Sequence, residues 1–199
     1  MRPILNFLFL RKSVFFILIL PLCLAASETF DEFYREGVRL AGARKRDAAI
    51  LHLQQGLERD CSDEQRRILL NYLGCLNVRK NPELALTYLR QAILTPCGNE
   101  TEYYRTFIYL GRFYRCQNQL EAAIGAFLNV ASRRHAHPSL VFSAHLAIAQ
   151  MYQELGYSDA ALPHYEQAVE AGERVPYKYN YQPAVDALRK LKQEKEKND

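Results

Sequence analysis

The stretch LGRFYRCQNQLEAAIGAFLNV, residues 110–130, contains two amphipathic helical segments separated by a polar break. The first segment carries Gly111 and Tyr114, and the second carries Ala123 and Phe127 at helical spacing. The two small residues allow the helix backbones to approach each other, and the two rings fill the space beside them. A helix pair of this size cannot bury its apolar face alone, so we expect the pattern to recur along the chain.

The pattern recurs in three further copies at nearly constant spacing. In each copy a small anchor residue is followed by a second small residue and then by a large apolar or aromatic one, and successive anchors are 37 or 38 residues apart. The four sets are Gly37, Ala49 and Leu53; Gly74, Ala85 and Leu89; Gly111, Ala123 and Phe127; and Ala149, Ala161 and Tyr165. In the fourth copy Tyr152 follows the anchor as Tyr114 follows Gly111.

These residues resemble the signature of the tetratricopeptide repeat family, a Leu-Gly-x-x-Tyr helix followed by an Ala-x-x-x-Phe helix. The resemblance covers about 150 of the 199 residues. It implies an all-α fold, a right-handed α-solenoid of about four helix–turn–helix repeats with a C-terminal capping helix. The expected solenoid spans 27–173, with repeats at 28–60, 63–97, 101–134 and 139–173, and a linker and capping helix at 174–199.

Residues 1–26 differ in kind from the repeats. Three basic residues among the first twelve precede an apolar run over 14–26 that ends in small residues. This order is typical of a secretory signal peptide, so we expect the segment to be cleaved and the chain exported to the periplasm or cell envelope. An uncleaved membrane anchor is one alternative, although a spanning helix needs about 20 apolar residues. Lipidation at Cys23 is another.

The charge of the chain argues against a nucleic-acid partner. The full sequence has 26 basic and 22 acidic residues, a net charge of +4. The predicted signal peptide contains three of the basic residues and no acidic one, so the mature chain is near neutral. A near-neutral chain lacks the basic surface that nucleic-acid binding requires. We expect membrane contact only through an uncleaved N-terminal segment.

Four cysteines remain after cleavage, namely Cys61, Cys75, Cys97 and Cys116. An even number in an oxidising compartment permits two disulfides. Cys61 and Cys97 both lie at repeat boundaries, and their pairing is the first candidate. Buried free thiols are the alternative.

The sequence contains no motif that indicates an enzyme. A Gly-rich phosphate loop, a Gly-x-Ser-x-Gly elbow and a His-Glu-x-x-His helix are all missing from it. We therefore expect neither catalysis nor a cofactor. His135 and His137 are the nearest approach to a metal motif, but a structural zinc site needs four ligands and no carboxylate stands beside this pair. No metal site is predicted, and a metal-binding role for the two histidines is kept as an alternative.

The resemblance implies that the first helices of the repeats line an inner groove. Positions around each anchor are expected to face it. The predicted groove residues are Tyr34, Val38, Asn71, Arg105, Ile108, Tyr109, Arg112, Arg115, Gln150 and Gln153. The arginines at the centre would suit an acidic peptide, because a guanidinium binds a carboxylate through two hydrogen bonds. The alternative is that the arginines only keep an outer face soluble.

The expected function is that of a non-catalytic scaffold or adaptor that binds a peptide or helix of a partner protein in its concave groove. Repeats of this length also resemble those of bacterial proteins that act in cell-envelope assembly. The Lys and Asn clamp with which some members bind a chaperone's C-terminus is missing, since Tyr34, Val38 and Tyr72 stand at those positions. A structural subunit of a membrane complex, held by an uncleaved anchor, is the alternative function.

Overall fold

The structure is a computed structural model that describes residues 29–96, 98–133, 135–175 and 180–198. The predicted signal peptide and Cys97 lie outside these ranges. Within them the chain forms nine helices and no strand. The helices are α1 (Phe30–Gly42), α2 (Arg46–Leu57), α3 (Asp63–Asn77), α4 (Pro82–Leu94), α5 (Glu100–Cys116), α6 (Leu120–Ala131), α7 (Pro138–Glu154), α8 (Ser158–Glu173) and α9 (Gln182–Asn198).

Successive helices pack as four pairs, α1 with α2, α3 with α4, α5 with α6 and α7 with α8, and α9 packs on α8. The predicted all-α architecture is confirmed. None of the described helices combines the length and the apolar character that crossing a bilayer requires.

The first helices of the pairs form the inner face of the stack. Each of α1, α3 and α5 contacts the first helix of the next pair, whereas no comparable contact joins consecutive second helices among the described residues. Because the first helices approach one another more closely, the stack curves with these helices on its concave side.

The anchor residues of the repeat are contact points within each pair. A Cβ atom on Gly111 would lie 2.7 Å from the ring of Phe127, and one on Gly74 would lie 2.7 Å from the side chain of Leu89. Phe127 and Leu89 are almost fully buried. The sequence spacing between anchor and large residue therefore corresponds to a direct contact between the first and second helix of a pair.

The turn inside three of the pairs contains a residue with positive φ, seven positions after the anchor. These residues are Arg44 at 60°, Asn118 at 58° and Gly156 at 81°. The second pair is built differently, because Asn81 has an extended φ of −144° and its side chain accepts a hydrogen bond from the Leu84 amide at 3.1 Å. Pro82 then occupies the first helical position, where no N–H is needed. This turn explains why the second repeat is one residue shorter before its second helix.

Arg67 joins the second and third pairs from inside the stack. Its side chain is 1% exposed, and its guanidinium lies 5.1 Å from the ring centroid of Tyr103 on α5. One Nη atom donates to the carbonyl of Thr95, which follows α4. A guanidinium thus occupies a buried position at this junction.

Helix α9 covers the open end of the fourth pair. Leu191 and Ala184 are buried on its inner side. At the edge of this contact Lys192 pairs with Glu166 and Lys195 with Asp159, both of α8, each at 2.8 Å, while the exposed positions of α9 carry mostly charged residues. An apolar inner face and a charged outer face are what a terminal capping helix requires.

Candidate partner-binding groove

A cavity of about 200 Å³ opens on the concave face where the first three pairs meet. We call it the tyrosine pocket, and its lining residues are Tyr34, Ile68, Asn71, Tyr72, Glu102, Arg105 and Tyr109. They lie on the first helices α1, α3 and α5. Four of the predicted groove residues are thus brought together in one place.

The three tyrosines of the pocket form a row across the first three helices of the concave face. The Tyr34 and Tyr72 rings meet edge to face, with centroids 5.2 Å apart, and their hydroxyls are 3.2 Å apart in a hydrogen bond. The Tyr109 ring lies 6.5 Å from that of Tyr72. Burial raises the pKa of Tyr109 to about 12, and burial and the Tyr72 hydrogen bond raise the pKa of Tyr34. Both hydroxyls are therefore neutral at pH 7, and that of Tyr34 donates its proton to Tyr72.

The floor of the pocket contains a buried hydrogen-bond network. Asn71 is 1% exposed, and its Nδ2 donates to Thr106 Oγ1 at 3.1 Å. The Thr106 hydroxyl in turn donates to the carbonyl of Glu102 at 3.2 Å. The Asn71 Oδ1 atom is shielded from water and has no hydrogen-bond partner in the part of the chain that the structure describes. An unsatisfied buried acceptor costs free energy that a suitable donor would recover.

The three predicted arginines have different surroundings. Arg105 is paired with Glu102 on the same helix, with 3.1 Å between Nε and Oε1. Arg115 bridges to α7, where it donates to Gln150 Oε1 at 3.0 Å and pairs with Glu154. Arg112 is exposed and forms no ion pair with a described residue. Of the three arginines, Arg112 is thus the one without an ion pair to a described residue, and it lies one turn after Tyr109 on α5.

Ile108 does not line the groove, contrary to the prediction. It is 3% exposed and belongs to a core cluster with Phe127, Ala144 and Ile148. The reason is that helix α7 packs against α5 and covers the position three residues before the anchor. The residues two positions before the anchor, Tyr72 and Tyr109, line the pocket instead.

The remaining predicted groove residues flank the tyrosine pocket or serve the fold. Val38 is half-buried one turn after Tyr34 on α1. Gln150 accepts the hydrogen bond from Arg115. Gln153 is exposed and its Oε1 accepts from the Tyr165 hydroxyl at 2.8 Å, which links α7 to α8.

Cys75 lies on the same wall, next to Arg112 and Cys116. Burial raises the pKa of the Cys75 thiol to about 12, and the nearby Arg112 offsets a part of that rise. The thiol is thus protonated and unreactive at neutral pH. The predicted pairing of Cys61 with Cys97 stays a prediction, because Cys97 is outside the described residues.

In the connector before α7, His137 has a local role. His137 Nδ1 accepts from the Ser139 amide at 3.3 Å and lies 2.8 Å from its hydroxyl, so His137 caps the helix. Among the described residues no cluster of three or more His, Cys, Asp or Glu side chains could hold a metal ion.

A second histidine pair, which the sequence reading did not bring together, joins the helices of the fourth pair. The Nδ1 atoms of His145 on α7 and His164 on α8 are 3.0 Å apart, and Tyr152 stacks on His164. Burial lowers the pKa of both imidazoles, to about 4 for His145, where the neighbouring His164 adds to the effect.

This geometry defines the class of protein as an α-solenoid of stacked helix pairs, an architecture that presents an extended concave binding surface. A family model described as "Tetratricopeptide repeat" matches residues 144–176. The fourth helix pair is therefore a tetratricopeptide repeat, and the resemblance seen in the sequence is confirmed there.

Two solved structures share the fold. The first is titled "Crystal structure of MamA" and has 22% sequence identity with this chain. The alignment covers 78% of this chain and 85% of the MamA chain, with a TM-score of 0.57. The second is titled "MamA MSR-1 C2" and has 21% sequence identity. The alignment covers 75% of this chain and 80% of that chain, with a TM-score of 0.51. No curated protein matches the sequence significantly. At this level of identity the likeness concerns the fold alone.

Proposed function

We propose that the protein is a non-catalytic scaffold that binds a peptide or helix of a partner protein on its concave face, at the tyrosine pocket and Arg112. The repeat fold supports this assignment, because stacked helix pairs bind partners along their inner surface. Tyrosine and arginine supply much of the binding free energy at protein interfaces. Both residue types meet here at the junction of three repeats.

The exposed guanidinium of Arg112 is the observation that carries the proposal. Arg105 and Arg115 are held by carboxylates of the chain itself, whereas Arg112 stands unpaired among the described residues on the wall next to Tyr109 and Cys75. A partner carboxylate would find a bidentate donor there. This position supports a partner segment that contains at least one acidic side chain.

We further propose that the protein acts in the cell envelope, as an adaptor in envelope assembly. The support comes from the basic, apolar and small-residue order of residues 1–26. Mass spectrometry of the native chain tests this part of the proposal. A first residue at Ala26 or Ser27 supports export with cleavage, and an intact N-terminus favours an anchored subunit instead.

Capture of the partner from envelope extract tests the groove. The purified protein and two charge-reversed variants, Arg112→Glu and Arg90→Glu, are immobilised and their bound proteins identified. Arg90 is the matched control, because it is exposed on α4, a second helix. The proposal predicts a partner that is retained by the parent and the Arg90 variant and lost by the Arg112 variant. A partner that binds all three proteins equally would contradict it.

A further inference from the structure

We propose that the tyrosine pocket takes one aromatic side chain of an extended partner segment, whose main-chain N–H donates to Asn71 Oδ1 and whose neighbouring carboxylate binds Arg112. This inference rests on the proposed function and adds the chemistry of the bound segment. It is carried by the buried network at the floor of the pocket, by the size of the cavity and by the position of the unpaired guanidinium.

The network fixes which way the Asn71 amide points. The Thr106 hydroxyl has a single proton, and it donates this proton to the Glu102 carbonyl at 3.2 Å. Thr106 Oγ1 can therefore only accept from Asn71, so the amide must present its Nδ2 to Thr106, at 3.1 Å. Among the described residues, no group donates to the Oδ1 atom. A ligand that satisfies it must supply an N–H or an O–H.

The size and the walls of the pocket favour a single ring. The cavity measures about 200 Å³, and an engineered protein cavity of about 150 Å³ is large enough to hold benzene. Tyr34, Tyr72 and Tyr109 offer ring faces and edges to such a group, and aromatic pairs gain free energy in edge-to-face and offset geometries. Ile68 contributes an aliphatic contact at the same wall.

The approach to Asn71 requires an extended segment. Its Oδ1 atom is shielded from water in the free chain. For the proposed hydrogen bond to form, a lining side chain has to turn aside, so that a main-chain N–H next to the ring can approach Oδ1. An extended segment has main-chain N–H groups free for this purpose, whereas a helix uses them within its own hydrogen bonds.

Arg112 sets the position of the acidic side chain. It lies three residues after Tyr109 on α5, which is about 4.5 Å along the helix axis. One or two residues of extended chain span a similar length. The carboxylate should therefore stand next to the aromatic residue or one position further along.

Synthetic peptides test this chemistry. The probe is a capped tetrapeptide Gly-Phe-Asp-Gly, with its dissociation constant measured by NMR titration against the purified protein. Replacing the phenylalanine by alanine or the aspartate by lysine should each weaken binding about tenfold or more. N-methylation at one of the main-chain nitrogens should also weaken binding about tenfold, because it removes the donor to Asn71.

A substitution of the acceptor completes a double-mutant cycle. In Asn71→Leu the parent and the N-methylated peptides should bind equally, because the acceptor has gone. If this variant does not fold, the affinities of the N-methylated peptides for the unsubstituted protein still test the proposal. Failure of the parent peptide to bind at millimolar concentration, or equal affinity of every methylated peptide for the unsubstituted protein, would contradict the proposal.

The variant Asn71→Leu also distinguishes a failure of this inference from a failure of the proposed function on which it rests. If the captured partner is lost by Arg112→Glu but bound unchanged by Asn71→Leu, the groove function stands and the assignment of the pocket is wrong. If both variants retain the partner fully, the groove function itself is contradicted. Loss of the partner in both variants, with circular dichroism showing folded protein, supports both proposals.

Discussion

The side-chain amide of Asn71 on α3 donates to the hydroxyl of Thr106 on α5 across 3.1 Å, in a place that water does not reach. This hydrogen bond joins the first helices of two repeats under the tyrosine pocket. It ties the stability of the repeat stack to the geometry of the proposed binding site.

Thr106→Val should therefore destabilise the protein by about 1–3 kcal/mol, because Asn71 would keep a buried N–H without an acceptor. Denaturant unfolding measures the change in free energy. Thr87→Val is the control, since Thr87 is exposed and its hydroxyl donates to the Glu83 carbonyl of its own helix. The control should change stability by less than about 0.5 kcal/mol. Equal effects of the two substitutions would show that the Asn71 bond adds nothing.

Gly111→Ala should lower the free energy of unfolding by about 1–3 kcal/mol, because the added methyl would lie 2.7 Å from the Phe127 ring. Gly125→Ala, in the neighbouring helix α6, is the opposite case. No atom of the described residues lies within 4 Å of a Cβ at this position, so the substitution should stabilise α6 by about 0.5–1 kcal/mol. Thermal melts of the two variants should therefore shift in opposite directions. A rise in melting temperature for Gly111→Ala would contradict the anchor role.

Acid should destabilise the fourth repeat through the His145–His164 pair. Burial lowers the pKa of His145 to about 4, whereas an unfolded histidine has a pKa of about 6.5. The unfolded state thus binds more protons between these values, so this stability is fully present above pH 6.5 and is lost as the pH falls towards 4. The loss should reach up to about 3 kcal/mol.

Unfolding curves recorded from pH 7.5 to 4 measure this loss. His145→Gln should flatten the pH dependence, and the control His135→Gln, in the exposed connector, should leave it as in the parent. A His145 variant with the parent's pH profile would show that the pair does not couple protonation to folding.

Arg115 is expected to matter for the fold more than for the partner. Its ion pair with Glu154 is partly exposed, so Arg115→Gln should cost no more than about 1 kcal/mol in stability. Partner affinity should fall far less than in Arg112→Glu, since the Arg115 guanidinium is already engaged by α7. Isothermal titration with the captured partner distinguishes the two arginines, and an equal loss for both would contradict their different assignments.

The repeat could be predicted from sequence because its physical basis is local. Gly111, Ala123 and Phe127 stand at fixed intervals since each pair must close around the same contact, and the same holds for Gly74 and Leu89. It is harder to predict from the sequence which residues of a first helix face the groove. A rotation of one residue, about 100° around the helix, separates Ile108 in the core from Tyr109 in the pocket.

Contacts between different repeats left weaker signals in the sequence. Tyr34, Tyr72 and Tyr109 recur 38 and 37 residues apart, and this spacing could have indicated the pocket. Nothing in the sequence separates Arg112 from Arg115, because the partner of Arg115 lies 39 residues away on α7. The approach of His145 to His164 likewise depends on how α7 and α8 close against each other.

Photo-crosslinking from two tyrosine positions tests the concave binding face most directly. A benzoylphenylalanine is placed at Tyr109, in the tyrosine pocket, or at Tyr157, which is 61% exposed in the turn between α7 and α8. We expect the partner to be crosslinked from position 109 and not from position 157. Crosslinking of the partner from 157, with none from 109, would contradict it.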